Sequence, residues 1–418
     1  MKTKQPVPVS NLAPLTSKTA WAMFAVLLLA YSVNAMDRMI FPVLLTDVRA
    51  EYGFGLSLAG LQSTMFALGM GLTGIPLGYA MQRFPRKRII VAGTLLFSAA
   101  TCLTVVSVGF ADMLLWRVLS GVGEAMQLGA ILTVAATAFP RHRGLAIGAV
   151  NMAFALGSVV GPLLGVALMN HYGTWRAPMI AFAAIGIGLA AAVSWMVSPR
   201  LTERNPAAAA SSGSAYHSGG ATSLLARNPI LLAVITALFG LIDFAYIGMY
   251  ATFLREHHGF SAGDAGFAVS LSGLAAFASP LGGWLVDRLD PKRVLAGLSL
   301  AQAIAGMALF AGPANLSWQS GWSFVFGLIA SSGLYVALAS SMVKSMHEDH
   351  AGPASGMFIT CIYVAAAFAG LLYSWLVNAS SWTTAGLVQI TGLSVVCIVL
   401  ALSLRRAQFS TIVTSTER

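Results

Sequence analysis

Asp37 and Arg38 sit side by side in one long apolar stretch of the sequence, and Arg117 and Glu124 lie in another. A charged side chain at the centre of a lipid-spanning helix costs roughly 2.5–3.5 kcal/mol, so such residues turn to a protein interior or a wet cavity. Two arginines on a shared cavity make an anion site, because each guanidinium offers a planar fork of N–H donors that matches a carboxylate. A carboxyl group beside them makes a proton site. Burial and a neighbouring arginine pull its proton affinity in opposite directions, so its protonation can respond to an arriving charge.

Spacing constrains how these groups meet. Arg117 and Glu124 are two helical turns apart, which puts them on one helix face about 10 Å from each other along the axis. Asp37 and Arg38 are adjacent and point about 100° apart, so one should line the cavity while the other reaches sideways to a neighbouring helix. The histidines (142, 171, 217, 257, 258, 347 and 350) fall in loops or at the ends of apolar stretches, leaving carboxylates as the better proton candidates. Asp243 is a further lone carboxylate at mid-depth, with either a site or gating role or a packing role. Asn151, Tyr246, Tyr250, Tyr335 and Tyr363 are candidate neutral hydrogen-bonding groups for a bound solute; helix packing is the plainer reading of each. For the four charges together, the competing reading is ion pairs that only staple helices.

The elements that must carry these residues follow from composition. The chain has 418 residues, 57% hydrophobic and 9% charged, against about 25% charged in soluble domains. Its apolar runs reach the roughly 20 residues a helix needs to cross a bilayer and lack the short alternation of a barrel. The expected fold is an all-α polytopic membrane protein with twelve transmembrane helices. The spans are placed near 19–46, 56–82, 87–109, 112–137, 144–170 and 174–198, then 229–254, 263–287, 292–312, 321–344, 352–377 and 383–404. This divides the chain into an N-terminal tail 1–18, a six-helix bundle 19–198, a polar low-complexity linker 199–228, a second bundle 229–406 and a C-terminal tail 407–418.

The formal net charge of +10 is concentrated in alternate loops, as the positive-inside rule requires for cytoplasmic segments. Both termini and the linker are therefore expected in the cytoplasm, and nucleic acid is not expected as a partner. Cys102, Cys361 and Cys397 all lie in apolar spans and offer neither a disulfide framework nor metal spacing. The first 18 residues lack a signal-peptide core, so Trp21 onward reads as a retained first span. No nucleophile–base pair or phosphate loop is visible, which argues against an enzyme.

The two halves repeat each other. Gly78-Tyr-Ala-Met-Gln82-Arg83-Phe-Pro-Arg86-Lys87-Arg88 follows the second span, and Gly283-Trp-Leu-Val-Asp287-Arg288-Leu-Asp290-Pro-Lys292-Arg293 follows the eighth. This paired loop resembles the signature of the major facilitator superfamily, Gly-x-x-x-Asp-Arg-x-Gly-Arg-Arg/Lys, with departures at Gln82, Pro85 and Asp290. The resemblance runs from about Trp21 to Arg406. It implies two pseudo-symmetric six-helix bundles, a cavity lined by spans one, four, seven and ten, and alternating access. It also implies gating roles for Gly78, Arg83, Arg86, Arg88, Gly283, Asp287, Arg288 and Arg293; plain topology signals would explain the positive charges as well.

A finer likeness is to the anion:cation symporter family, with Spinster-type carriers second. The Asn-x-x-Asp-Arg run appears as Asn34-Ala-Met-Asp37-Arg38, and the Arg-x-x-x-Gly-x-x-Glu-Ala run as Arg117-Val-Leu-Ser-Gly121-Val-Gly123-Glu124-Ala125. The resemblance implies Asp37 and Glu124 in proton coupling and Arg38 and Arg117 in anion binding. Uptake of a small organic anion such as a sugar acid or monocarboxylate is then the expectation. No cofactor is expected beyond the coupling proton, and the setting is the plasma membrane, bacterial inner membrane by the short loops, as a monomer. Gly157-x-x-x-Gly161-Pro162-x-x-Gly165 resembles a motif of drug:proton antiporters, which keeps an efflux alternative open. Its physical reading is close helix packing with a proline bend.

Overall fold

The computed structural model describes residues 17–139, 142–203, 221–279, 285, 288–347, 351–405 and 409. Twelve apolar segments succeed one another among them. The first is Ser17–Tyr52; the second is Leu56–Thr64 with Phe66–Arg83; the third to sixth are Arg86–Val105, Phe110–Ala138, Arg143–Tyr172 and Arg176–Met196. The seventh is Arg227–Glu256, and the eighth is Ala262–Leu274 with the 3-10 turn Ala275–Ala278. Next come Pro291–Phe310, then a tenth span built from Leu316–Gly327, the π-helical stretch Leu328–Leu334 and Tyr335–Lys344. The eleventh is Ala351–Ala367 with Ala369–Ala379, and the twelfth runs from Trp382 to Leu402. Ten of the twelve are long and apolar enough to cross a bilayer as single helices, and the chain is a multi-pass membrane protein.

The spans enclose their polar residues because lipid offers them no hydrogen bonds. Span one shows this best: every residue from Ala30 to Leu45 is buried, Asn34, Asp37 and Arg38 included. Glycines let its neighbours close around it. A Cβ at Gly157 or Gly161 of span five would run into Ser32 and Ala35 or into Met36, and one at Gly165 into Ile40. The glycine–proline motif of span five thus presses that helix against the charged stretch of span one, which is a packing role.

Between the halves, span two packs on span eleven, span five on span eight, and span one on span seven. The end bearing Tyr52 and Glu256, here the far end, is shut. Gly60 and Gly370 touch backbone to backbone, Thr64 Oγ1 donates to the Ala367 carbonyl at 2.8 Å, and Ser63 Oγ donates to that of Gly248 at 2.7 Å. Toward the other end, which carries the linker, spans two and eleven separate. A Cβ at Gly71 would lie 3.1 Å from Val364 and one at Gly74 3.4 Å from Ile359, while Gly78 and Gly356 have nothing within 4 Å. Among the described residues, the halves are closed at the far end, and spans two and eleven draw apart toward the linker end.

Span one runs six residues past its apolar stretch, to Tyr52, and so carries Asp47, Arg49 and Glu51 on the far end. Asp47 pairs with Arg255, and Arg49 with Glu256, crossing from span one to span seven. Arg255 also donates to the Val43 carbonyl at 2.9 Å. Glu51 stays in its own half, taking Arg176 Nη1 and Trp175 Nε1, both at 2.7 Å. Solvent-reached pairs are worth roughly 0.2–1 kcal/mol each, enough to bias closure but not to lock it. Glu256→Arg should therefore enlarge the far-end-open population several-fold, and adding Arg49→Glu should reverse this. Spin-label distances between Tyr172 and Trp318 will read both.

Candidate functional site

Polar side chains from spans one, three and four meet where span one crosses span four. Arg38 Nε donates to Glu124 Oε2 at 3.0 Å, its Nη2 lies 2.9 Å from the same oxygen, and Nη2 donates to Asn34 Oδ1 at 3.3 Å. Asn34 is held in turn: its Nδ2 donates to Gln127 Oε1 at 2.8 Å, and Gln127 Nε2 donates to Thr94 Oγ1 of span three at 2.8 Å. Ser120 Oγ stands between the carboxylates, 3.0 Å from Glu124 Oε1 and 3.3 Å from Asp37 Oδ2. Arg117 Nη1 reaches Asp37 Oδ2 only at 3.9 Å.

The two arginines are treated unequally. Arg38 is 4% exposed and hydrogen-bonded through Nε and Nη2, whereas Arg117 is 0% exposed and none of its three nitrogens has a hydrogen-bond partner among the described residues. Aromatic faces replace hydrogen bonds there. The Arg117 guanidinium lies 4.3 Å from the Phe41 ring centroid and 5.3 Å from that of Phe66, which Arg38 also approaches at 5.6 Å. Such cation–π contacts offset part of the burial cost but leave five N–H donors idle. Phe66 reaches this position because Gly121 has no side chain: a Cβ there would collide with the Phe66 carbonyl. The glycine between Arg117 and Glu124 thus admits the ring that both cations share.

Asp37 and Arg38 both reach sideways to span four, where only one of the two was expected to do so. Neither points away from span four. They diverge along it, Arg38 to Glu124 and Asp37 to Arg117, two helical turns apart on span four. Tyr31 and Tyr363 lie within electrostatic reach of Arg38, and Tyr363 meets Tyr335. Tyr335 is 36% exposed whereas Tyr363 is 7% exposed, so the parted linker end reaches Tyr335 and stops just short of the arginines.

Other expected site residues fall elsewhere. Tyr246 and Tyr250 are not brought to the charges: they stack on each other and Tyr246 also stacks on Phe326, Tyr246 sharing a hydrogen bond with Ser323 and Tyr250 donating to Gln319 Oε1 at 2.9 Å. Both hydroxyls are spent inside the second half. Asp243 is half-buried on span seven, and no hydrogen bond or ion pair joins it to the four charges. Asn151 is exposed on span five. Arg86 binds within its own half, to Thr137 Oγ1 at 3.3 Å and the Thr202 carbonyl at 3.1 Å. Gly78, Arg83, Arg88, Arg288 and Arg293 are exposed, and Gly283 and Asp287 lie outside the described residues. Ser120, Gln127 and Phe66 were missed from sequence. Ser120 and Gln127 sit four residues before and three after Glu124, a spacing that marks the same helix face.

The sequence profile described as the Major Facilitator Superfamily matches residues 27–370 and 232–417. The probable sulfoacetate transporter of Cupriavidus necator is 24% identical over 86% of this chain and 88% of its own length. The probable chloroplastic anion transporter 6 of Arabidopsis thaliana is 28% identical over 38% of this chain, which spans only 31% of that relative. A bacterial homologue of the human lysosomal transporter Spinster, solved inward-facing and unoccupied, shares the fold at a TM-score of 0.71 and 20% identity, covering 94% of this chain and 97% of that one.

Removing one partner of a buried ion pair leaves an uncompensated charge, at a cost of about 3–5 kcal/mol, while replacing both by apolar groups costs far less. Glu124→Ala should therefore lower the apparent thermal midpoint of the purified protein by several degrees. Arg38→Met with Glu124→Met should recover most of that loss; a double variant no more stable than Glu124→Ala would contradict this account of the pair.

Proposed function

Because the chain belongs to the Major Facilitator Superfamily and is one of its membrane transporters, we propose that it carries a small organic anion together with protons, by alternating access between its two halves. One observation carries this reading: Arg117, wholly buried, meets among the described residues only aromatic faces and a distant Asp37. An anion with a carboxylate or sulfonate supplies the acceptors that Arg117 lacks. The names of the sulfoacetate and anion transporters among the relatives agree with that chemistry. Arg38 is withheld by Glu124, and a proton on Glu124 weakens that hold so that Arg38 joins in binding. Asp37 stands in the same relation to Arg117, and Asp243 is a further protonation site on the opposite half.

The concentration of basic residues in alternate loops supports a cytoplasmic linker end and cytoplasmic termini; on that reading the parted end is the inward one and the crossed pairs at Asp47 and Glu256 form the outer closure. Arg83, Arg88, Arg288 and Arg293 at the linker end are the candidates for the inner closure. The setting is the plasma membrane and the unit a monomer. Uptake is favoured as the direction because a carrier that must draw in an anion against a negative-inside membrane potential gains from co-moving protons. Efflux by exchange with protons is the rival, and the driving gradient separates them.

Proteoliposomes with an inward proton gradient, offered D-glucarate, sulfoacetate or lactate, should accumulate at least one of the three. Accumulation only under the reverse gradient would replace symport by exchange. Arg117→Ala should reduce uptake roughly 30-fold or more, the usual cost of truncating a buried charge partner, and Arg117→Lys should restore only part because it lacks the planar fork. Glu124→Gln should exchange substrate across the membrane but no longer concentrate it. Full accumulation by Glu124→Gln would overturn its role.

A further inference from the structure

We infer that Ser120 is a proton bridge between Asp37 and Glu124, so that one proton decides which of the two arginines is free. Most buried hydroxyls on these helices do something else. Thr94, Thr104, Ser158 and Ser394 each donate to the carbonyl four residues back, at 2.7–2.9 Å, the ordinary use of a helical hydroxyl. Ser120 is instead turned toward two carboxylate oxygens on different helices, 3.0 Å from Glu124 Oε1 and 3.3 Å from Asp37 Oδ2, and is 0% exposed. A hydroxyl has one proton to give and two lone pairs to accept with. It cannot satisfy two ionised carboxylates at once, but it fits a pair that holds one proton.

The transfer balances without any other reactant. With Asp37 protonated, its Oδ2–H bond donates to Ser120 Oγ while Ser120 donates to Glu124 Oε1. As the proton leaves Oδ2 for Oγ, the original hydroxyl proton passes from Oγ to Oε1. In each of the two transfers one O–H bond breaks and one forms: Asp37 loses its proton and becomes the anion, Ser120 exchanges one proton for another, and Glu124 becomes the acid. The consequence falls on the arginines. Before the shift Glu124 holds Arg38 and Arg117 has no ionised partner; after it, Asp37 attracts Arg117 and Arg38 is released. The charged and titratable groups facing the pair are Arg38 and Tyr31 from span one, Arg117 from span four and Tyr363 from span eleven. None of them lies between the two carboxylates.

The bridge gains its meaning in transport from the proton-coupled anion reading, yet it is testable without any transported solute. Infrared spectra of the full chain in lipid bilayers at acid pH report the C=O stretch of protonated carboxyls. In the wild type this band should sit at the low frequency of an acid that donates a strong hydrogen bond. In Ser120→Ala it should move to the higher frequency of an acid without that acceptor. Ser120→Cys, equal in size but a weaker partner, should fall between and serves if the alanine variant does not fold. Gradient-driven uptake of D-glucarate, sulfoacetate or lactate, whichever the wild type accumulates, should drop about tenfold or more in Ser120→Ala. A band unmoved in both variants would overturn the bridge whatever the transport result. A wild type that moves none of the three anions, with the band still shifting in Ser120→Ala, would instead sink the carrier reading and leave the bridge standing.

Discussion

The central constraint is that two guanidinium groups and two carboxylates are buried together where lipid surrounds the protein. Their formal charges cancel, but their hydrogen bonds do not. Glu124 receives Arg38 and Ser120, whereas Arg117 has one remote carboxylate and two aromatic rings. A buried ion pair rarely stabilises a fold beyond what apolar packing would achieve, and an idle guanidinium is costlier still. A helix bundle chosen for stability alone would have no reason to keep such an arrangement.

Much of the surrounding architecture is what makes that arrangement possible. Small residues bring span five against span one and the second span against the fourth, closely enough that Phe66 enters between the two cations. Asn34, Gln127 and Thr94 form a chain of hydrogen bonds from span one through span four to span three, which fixes the Arg38 rotamer from behind. On the other side, the shut far end excludes water while the parted linker end brings solvent as near as Tyr335. Low dielectric strengthens the electrostatics inside, and one open end supplies a path to them.

The halves differ in more than charge. The first holds every ionised residue of the cluster on continuous helices, spans one and four. The second has irregular turns in spans eight, ten and twelve, with the 3-10 turn Ala275–Ala278 packed against the π-helical stretch Leu328–Leu334. Such departures from regular helix gather where helices bend or bind. One half holds its charges on continuous helices, and the other carries 3-10 and π-helical turns within its spans.

The sequence alone determined that the chain is a twelve-span membrane protein with a repeated half, because apolar length and loop charge are local properties read directly from composition and order. It also singled out Asp37, Arg38, Arg117 and Glu124, since an ionisable residue in an apolar run is conspicuous without coordinates. It could not assign partners. Which arginine goes to which carboxylate depends on the rotation and depth of two helices far apart in sequence, and only the packed structure pairs Arg38 with Glu124 and leaves Arg117 nearly alone. Tyr246 and Tyr250 look like site residues along the chain and prove to be core, because aromatic side chains on a helix face give no sign of which neighbour that face meets. The crossed pairs at the far end were hidden for the same reason: Asp47, Arg49, Arg255 and Glu256 are ordinary span-end charges until tertiary packing sets two helix termini side by side.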